Sequence, residues 1–422
     1  MAGVYWYSLK DPNPTQSLSG DKSADVVIVG GGMAGLSCAQ RLIESGKSVV
    51  ILEKEFCGSG ASGKTSGFIT PDSEIELSAL LEAHGPDKAR RVWEFVLSGV
   101  NGIRANIERH NFSCDYRVQD SLFIANTRAG FRHVQKEHEA RMKLGYVSTL
   151  YTASDVSSII GSNGYRGAVR YPDTFGMNSY LYCQALKEIL VAKGVSIFEQ
   201  TPVASIVGNV VHTPSGRLTA KHIIVCADRF IPDLGVFKKE IYHIQTFLGI
   251  TKPLSLAQVK RLFPSDAMMV WDTDLVYNYF RLTGDNRLLI GGGDVLYTYA
   301  HQVTKNTGRF DKRLKNYITK KFPDLGIEME FVWPGMLGVS KDLLPIMGAD
   351  PANKQVWYIG AATGLPWATA LGVYAADRVL RGRDEFDVDF SPERHFTLGS
   401  RIQSLLTTPV TYALSHGIVK YL

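Results

Sequence analysis

Apolar residues along this chain fall first into short blocks and then into helical spacing. Asp25–Val29 is a compact apolar run rich in β-branched residues and predicts a buried strand. Gly30 to Gly35 predicts a turn, Leu36 to Ser45 a helix closed by Gly46, and Ser48–Leu52 a second buried strand. Strand, helix and strand in that order open a parallel, doubly wound sheet. From about residue 80 the period changes. Val92, Phe95, Val96, Val100, Ile103 and Ile107 recur at helical spacing and predict a long amphipathic helix. Tyr180 to Lys193 predicts another helix, with Gly194 as its stop. Val195–Phe198, Ile206–His212 and Leu218–Ala227 predict strands, with a hairpin turn at Pro214-Ser215-Gly216. Residues 240 to 300 are strand-like and aromatic-rich, and Arg309 to Lys321 predicts a basic amphipathic helix with a solvated outer face. Val356 to Ala376 carries no charge and is long enough to span a membrane, but Gly360, Gly364, Pro366 and Gly372 interrupt it. A strand, a tight turn and a helix is the expected structure there.

Composition narrows the class. Of 422 residues, 45% are hydrophobic and 21% charged, which fits a globular chain with a large core and excludes disorder and a disulfide scaffold. A net charge of +5 is too small and too scattered to predict a nucleic-acid partner. The five cysteines form no Cys-x-x-Cys pair, which suits reduced thiols in a cytoplasmic protein and no metal site. The first eleven residues carry no secretory signal, and no membrane contact is expected.

Gly30-Gly31-Gly32-Met33-Ala34-Gly35 satisfies G-x-G-x-x-G directly after a strand and at the opening of a helix. Glu53 follows at the end of the next strand, and these contexts make the motif specific. Gly30 permits the tight turn, Gly32 lets backbone approach a pyrophosphate, and Gly35 allows close helix–strand packing. The helix N-terminus offers N–H groups and a positive dipole end to the anion, and Glu53 can accept hydrogen bonds from ribose hydroxyls. No second motif for a nicotinamide cofactor follows. Gly58 to Gly67 is a loop of small residues suited to backbone laid against a flat ring and a diphosphate. FAD is the expected cofactor.

At this point the chain resembles the D-amino acid oxidase/glycine oxidase superfamily of flavoenzymes. Four blocks carry the resemblance: Val27-Ile28-Val29-Gly30-Gly31-Gly32, Gly60-Ala61-Ser62-Gly63, Trp333-Pro334-Gly335 running on to Asp342 and Pro345-Ile346-Met347-Gly348, and Ile359-Gly360 leading into the helix after Pro366. Within it the chain looks most like the gamma-glutamylputrescine oxidase branch, through Tyr5-Trp6-Tyr7, Cys114-Asp115-Tyr116-Arg117 and the stretch from Tyr279 to Leu289. The resemblance implies a glutathione-reductase-like, amino-acid-oxidase type of α/β architecture: a Rossmann-like FAD domain with a parallel sheet, and a substrate domain whose mixed or antiparallel sheet covers the flavin. The expected FAD domain is discontinuous (20–80, 150–235 and 330–390), with a substrate domain at 81–149 and 236–329 and a tail at 391–422. The implied FAD contacts are Gly30, Gly32, Met33, Ala34, Gly35, Glu53, Lys54, Gly60, Ala61, Ser62, Lys64, Thr65, Ser66, Gly67, Val203, Ala227, Gly335, Gly360, Thr363, Gly364 and Leu365. Tyr279, Arg281 and Trp333 are the expected catalytic residues, Tyr277, Tyr279 and Arg281 alternating on one strand as an aromatic wall with a polar anchor.

The implied activity is oxidation of a C–N bond of a small-molecule amine by hydride transfer to flavin N5, followed by imine hydrolysis and passage of electrons to O2. Departures from the family pattern sharpen this expectation. Amino-acid oxidases follow the Trp-x-Gly block with an Arg that clamps the substrate carboxylate, and Leu337 stands there, which argues for an amine. Leu289 falls where sarcosine oxidases place an oxygen-activating lysine, which leaves open a dehydrogenase passing electrons to a quinone or partner protein. Neither the covalent flavin cysteine nor a loop histidine has an equivalent, so noncovalent FAD is expected. Gly360 to Trp367 stands where close relatives carry Gly-x-Ser-Gly-His-Gly, and Leu365-Pro366-Trp367 in place of the His raises the alternative of a blocked, non-catalytic pocket. Asp228 replaces a glycine near the adenosine side.

Overall fold

The computed structural model describes residues 3–394 except 73, 163, 275–276, 293–295, 298–307 and 341. Expectations for the 391–422 tail therefore lie almost wholly outside the described residues.

Consecutive apolar residues in Val49–Leu52 and in Val26 to Val29 are all buried, because both faces of their sheet are covered. The strands run in the order Ser196–Phe198, Val49–Leu52, Lys22–Val29, Gly216–Val225 and Val356–Gly360, every neighbour parallel. Ile346–Ala349 adds an antiparallel edge beside Val356–Gly360. Val26 and Ile28 pack toward the helices, while Val27 and Val29 pack on the opposite layer with Phe198, Ile231 and Tyr358. The fold class is the expected one: α/β, with a parallel sheet and a mixed sheet.

The first helix, Met33–Ile43, begins directly after Gly32, three residues earlier than the apolar periodicity predicts. Its start is set by the glycine turn and not by side-chain spacing. The last helix, Leu365–Arg381, lies against it so closely that a Cβ on Gly372 would stand 2.2 Å from the Ala34 carbonyl oxygen. Leu77–His110 packs on the other side, where a Cβ on Gly99 would stand 2.0 Å from the Pro366 carbonyl. That long segment is two helices joined across Gly85, whose φ of 76° breaks the helix just before Pro86. The expected single strand at Ile206–His212 is two, Ser205–Val207 and Val210–Thr213, because Gly208 at φ 59° turns the chain into a hairpin.

Among the described residues the second sheet has nine strands and is mixed. Its order is Leu296–Tyr297, Tyr242–Pro253, Arg287–Gly292, Asn278–Leu282, Met269–Asp272, Ser121–Ala125, Gly167–Tyr171 and Thr149–Thr152, with Met329–Val339 also on Tyr242–Pro253. Among the described residues, only Met269–Asp272 and Ser121–Ala125 pair in parallel in this sheet. Strands at 149–171 and 329–339, grouped with the nucleotide domain on sequence grounds, hydrogen-bond in this mixed sheet. Phe68–Ile69, Phe175–Gly176 and Arg117–Val118 form a separate small antiparallel sheet. Among the described residues no helix is long and apolar enough to cross a membrane.

Replacing Gly372 by Val forces the last helix away from the first. The expected result is a loss of about 2 kcal/mol or more of stability, read as a lowered denaturant midpoint with an unchanged slope.

Candidate cofactor cradle and the aromatic face beside it

The ends of three parallel strands meet at the glycine turn. Gly30 donates its N–H to the Leu52 carbonyl (2.8 Å), and Cys226 donates to the Val29 carbonyl (2.7 Å). Gly30 sits at φ 112°, and a Cβ there would lie 2.4 Å from the Cys226 carbonyl, so only glycine closes this turn. Gly35 carries the helix back over it, its Cβ position 2.0 Å from the Gly30 carbonyl. Gly32 leaves open the space in front of the Met33–Ile43 helix, which a Cβ would narrow to 2.9 Å from the Ser62 hydroxyl. Ser62 Oγ accepts the Met33 N–H at 3.1 Å, joining the helix start to the small-residue loop. Ala34 packs beneath Gly372 in the same turn. Glu53 lies buried at the end of the second strand, where its carboxylate accepts the N–H groups of Gly31 (2.7 Å) and Glu55 (2.9 Å). Burial raises its pKa, and these donors oppose the rise.

Gly60 caps the short helical turn Ala61–Lys64. After it, three consecutive carbonyls are each held by a remote side chain. Trp333 Nε1 donates to Lys64 O (3.1 Å), Trp6 Nε1 to Thr65 O (2.9 Å) and Arg281 Nε to Ser66 O (2.7 Å). Thr65 Oγ1 then accepts the Gly67 N–H at 3.0 Å and pairs with Ser179 Oγ. Arg281 also donates to the carbonyls of Met177 (2.8 Å) and Leu282 (3.1 Å) and lies 3.8 Å from Asp115. It is wholly buried, and burial lowers its pKa to about 10 against the pull of Asp115.

The polar anchor expected at Arg281 is thus corrected. Its three nitrogens serve backbone carbonyls, so the guanidinium is a strut for the loop. Trp333 is likewise wholly buried, edge-on to Trp6 at 6.0 Å, and its one donor is used. Trp6 was missed as a site residue. An aromatic near the N-terminus carries no spacing signal that ties it to a loop 59 residues away.

Cations collect beside the turn. Lys54 and Arg229 stand over the ring of Phe230, at 3.5 and 3.8 Å from its centroid. Lys64 lies within electrostatic reach of both, and burial lowers the pKa of all three, with Glu55 opposing. Arg229 Nη1 is buried without a hydrogen-bond partner. A cradle that only glycines keep open, a helix start and a guanidinium nitrogen without a partner together fit the diphosphate of FAD. Arg229, like Trp6, escaped the sequence reading.

Asp228 adopts φ 47°, the left-handed conformation that glycine takes freely and that Asp tolerates better than most residues. Its carboxylate accepts the Gly338 N–H at 2.8 Å, tying the nucleotide sheet to Met329–Val339. Gly335 and Leu337 lie in that strand opposite Thr246 and Ile244. Val203 and Ala227 are partly buried against the core of the parallel sheet. Beyond Gly360, Ala361 (φ 51°) and Gly364 (φ 103°) turn the chain onto the last helix, and Thr363 Oγ1 donates to Gly338 O at 3.2 Å. Leu365 is buried, and Trp367 packs against Phe95 and Phe390 at 6.0 and 5.9 Å. The Leu-Pro-Trp departure is therefore spent on helix packing.

Phe68, directly after the loop, begins an aromatic face. Its ring lies 5.6 Å from Tyr279 and 6.2 Å from Trp271, and Tyr279 lies 5.8 Å from Tyr277. Gly291 makes room for the Tyr279 ring, which would lie 2.2 Å from a Cβ there. Tyr277 and Tyr279 share the face that their alternation predicts.

A family model described as DAO, FAD dependent oxidoreductase, matches residues 25–378. The chain is 31% identical to the "Probable oxidoreductase OrdL" of Haemophilus influenzae, over 94% of this chain and 92% of that one. It is 28% identical to the gamma-glutamylputrescine oxidoreductase of Escherichia coli, over 83% and 82%. Among solved structures, glycine oxidase from Geobacillus kaustophilus superposes with a TM-score of 0.75 at 21% identity, covering 89% of this chain and 99% of that one.

The strut at Arg281 yields a direct test. Arg281→Met leaves carbonyls of the loop without donors, and we expect about 3 kcal/mol of lost stability. The same variant is expected to retain less flavin per chain, measured as the ratio of visible to ultraviolet absorbance after gel filtration.

Proposed function

The chain belongs to the DAO family of FAD-dependent oxidoreductases, and from that premise we propose that it oxidises the C–N bond of an amine. The observation that carries the choice of an amine over a plain α-amino acid is the use of Arg281. Its nitrogens are occupied by backbone carbonyls, and Leu337 stands where the family's carboxylate clamp is expected. An α-carboxylate brought into such a site finds neither guanidinium to pair with. The 28% identity to a gamma-glutamylputrescine oxidoreductase supports the same reading.

Gly30, Gly32, Gly35, Glu53 and the 60–67 loop would hold the cofactor, with Lys54, Lys64 and Arg229 toward its diphosphate. Met33 and Ala34 would contribute backbone at the helix start. Val203 and Ala227 would lie toward adenine, and Gly335 with the Gly360–Leu365 turn toward the ring. When bound, FAD supplies a two-electron acceptor at its N5 atom for the hydride that leaves the carbon next to nitrogen. The start of the Leu365–Arg381 helix offers N–H groups and a positive dipole end to negative charge. Half-buried Phe68, next to the cofactor loop, would strip water from the reacting ammonium group and so favour its neutral, reactive form. Water hydrolyses the resulting imine to a carbonyl compound and ammonia or a smaller amine.

Oxygen is the electron acceptor in this reading. A second reading, with a quinone or partner protein as acceptor, is favoured by Leu289, wholly buried beside Trp6 and Trp333 at the position matched to the oxygen-activating lysine. Residues 333–348 contain no Cys and the 58–67 loop no His, which supports noncovalent FAD.

Purified protein is expected to be yellow and to lose its visible band under anaerobic conditions on addition of a primary or secondary amine. Rapid recolouring in air identifies an oxidase and slow recolouring a dehydrogenase. An unbleached spectrum across diamines, gamma-glutamylated diamines and N-methyl amines rejects the amine reading. Acid precipitation is expected to leave a white pellet and a yellow supernatant.

A further inference from the structure

The aromatic face ends at a carboxylate, Glu74, for which no cation is among the described groups that act on it. Glu74 is half-buried at the far end of the run Phe68, Tyr279, Tyr277, and Tyr277 Oη donates to its Oε1 at 3.4 Å. The other group that acts on it is a second carboxylate, Glu76. Burial raises Glu74 to about pKa 7, and Glu76 adds to the rise. The described cations of the adjoining carboxylates serve those carboxylates. Arg141 is shared by Asp72 (3.2 Å) and Glu137 (2.7 Å), and its guanidinium lies over the Tyr171 ring. His133, 3.8 Å from Glu76, has its pKa lowered by burial. A carboxylate withdrawn from water without a counter-ion is costly, and an ammonium group removes that cost on arrival. The rings of Tyr277 and Tyr279 beside it offer π-faces to the same cation.

We propose that Glu74, oriented by Tyr277, selects substrates that carry a second ammonium group several bonds from the nitrogen being oxidised. The distant cation sits between the carboxylate and the tyrosine rings, while the reacting end extends along Phe68 toward the cofactor loop. The substrate class is then a diamine. This inference rests on the amine reading above, and its test is a binding measurement so that the two can fail separately.

The holoenzyme, wild type and Glu74→Gln, is titrated by calorimetry with 1,4-diaminobutane and with butylamine. Gln keeps the size of the side chain and can still accept from Tyr277. Wild type is expected to bind the diamine roughly tenfold to a hundredfold more tightly than the monoamine, the worth of one hydrogen bond to a charged group. Glu74→Gln is expected to lose that preference while its butylamine affinity, flavin content and melting temperature stay unchanged. Wild type without a preference, including no binding of either amine, overturns the proposal, as does a Gln variant that keeps the preference or weakens both amines equally. A clear diamine preference in a protein whose flavin no amine bleaches would instead retain Glu74 as a cation site and reject the amine-oxidising reading.

Discussion

The structure hinges on how one flexible loop is held. Small residues from Gly60 to Gly67 have little side-chain surface with which to pack, yet a cofactor cradle must present its backbone in one conformation. The chain solves this with donors borrowed from distant segments: the indole of Trp333, the indole of Trp6 and the guanidinium of Arg281 take the carbonyls of Lys64, Thr65 and Ser66 in succession. Buried carbonyls without donors are destabilising, so each of these bonds matters more than its surface equivalent would. The loop is thereby coupled to the N-terminus and to two strands of the mixed sheet, and through Ser62 to the first helix.

The same logic explains the places where the chain departs from its family's pattern. Asp228 stands in a left-handed conformation that glycine would adopt without strain, and its carboxylate offsets the cost by accepting a hydrogen bond from Gly338. Leu365-Pro366-Trp367 stands in place of a His near the last helix, and the Trp367 ring fills space among Phe95 and Phe390. Arg281 looks in sequence like a substrate anchor. Its burial and its carbonyl partners turn it into a structural element, which shifts attention from carboxylate recognition to the aromatic face and Glu74.

Local patterns carried much of the architecture. The first strand, the glycine turn, the second strand and Glu53 were legible because their physics is confined to about thirty consecutive residues: tight turn, helix dipole and acidic strand end. Alternation placed Tyr277 and Tyr279 on one face for the same reason. The hairpin inside Ile206–His212 was hidden because Gly208 and Asn209 interrupt an otherwise continuous β-branched run by only two residues.

What the sequence determined by itself is therefore the parallel βαβ opening, the FAD fingerprint and the family. The first two depend on neighbours in the chain, and the family on four short blocks spread along it. What only the tertiary structure decided is how side chains far apart in sequence are used. Trp6, Arg229 and Glu74 have no local signature, and Arg281 had a misleading one. A donor's role depends on which acceptor folding brings within 3 Å, and a carboxylate's on whether a cation accompanies it out of water. Neither relation is written in the spacing of residues along a chain.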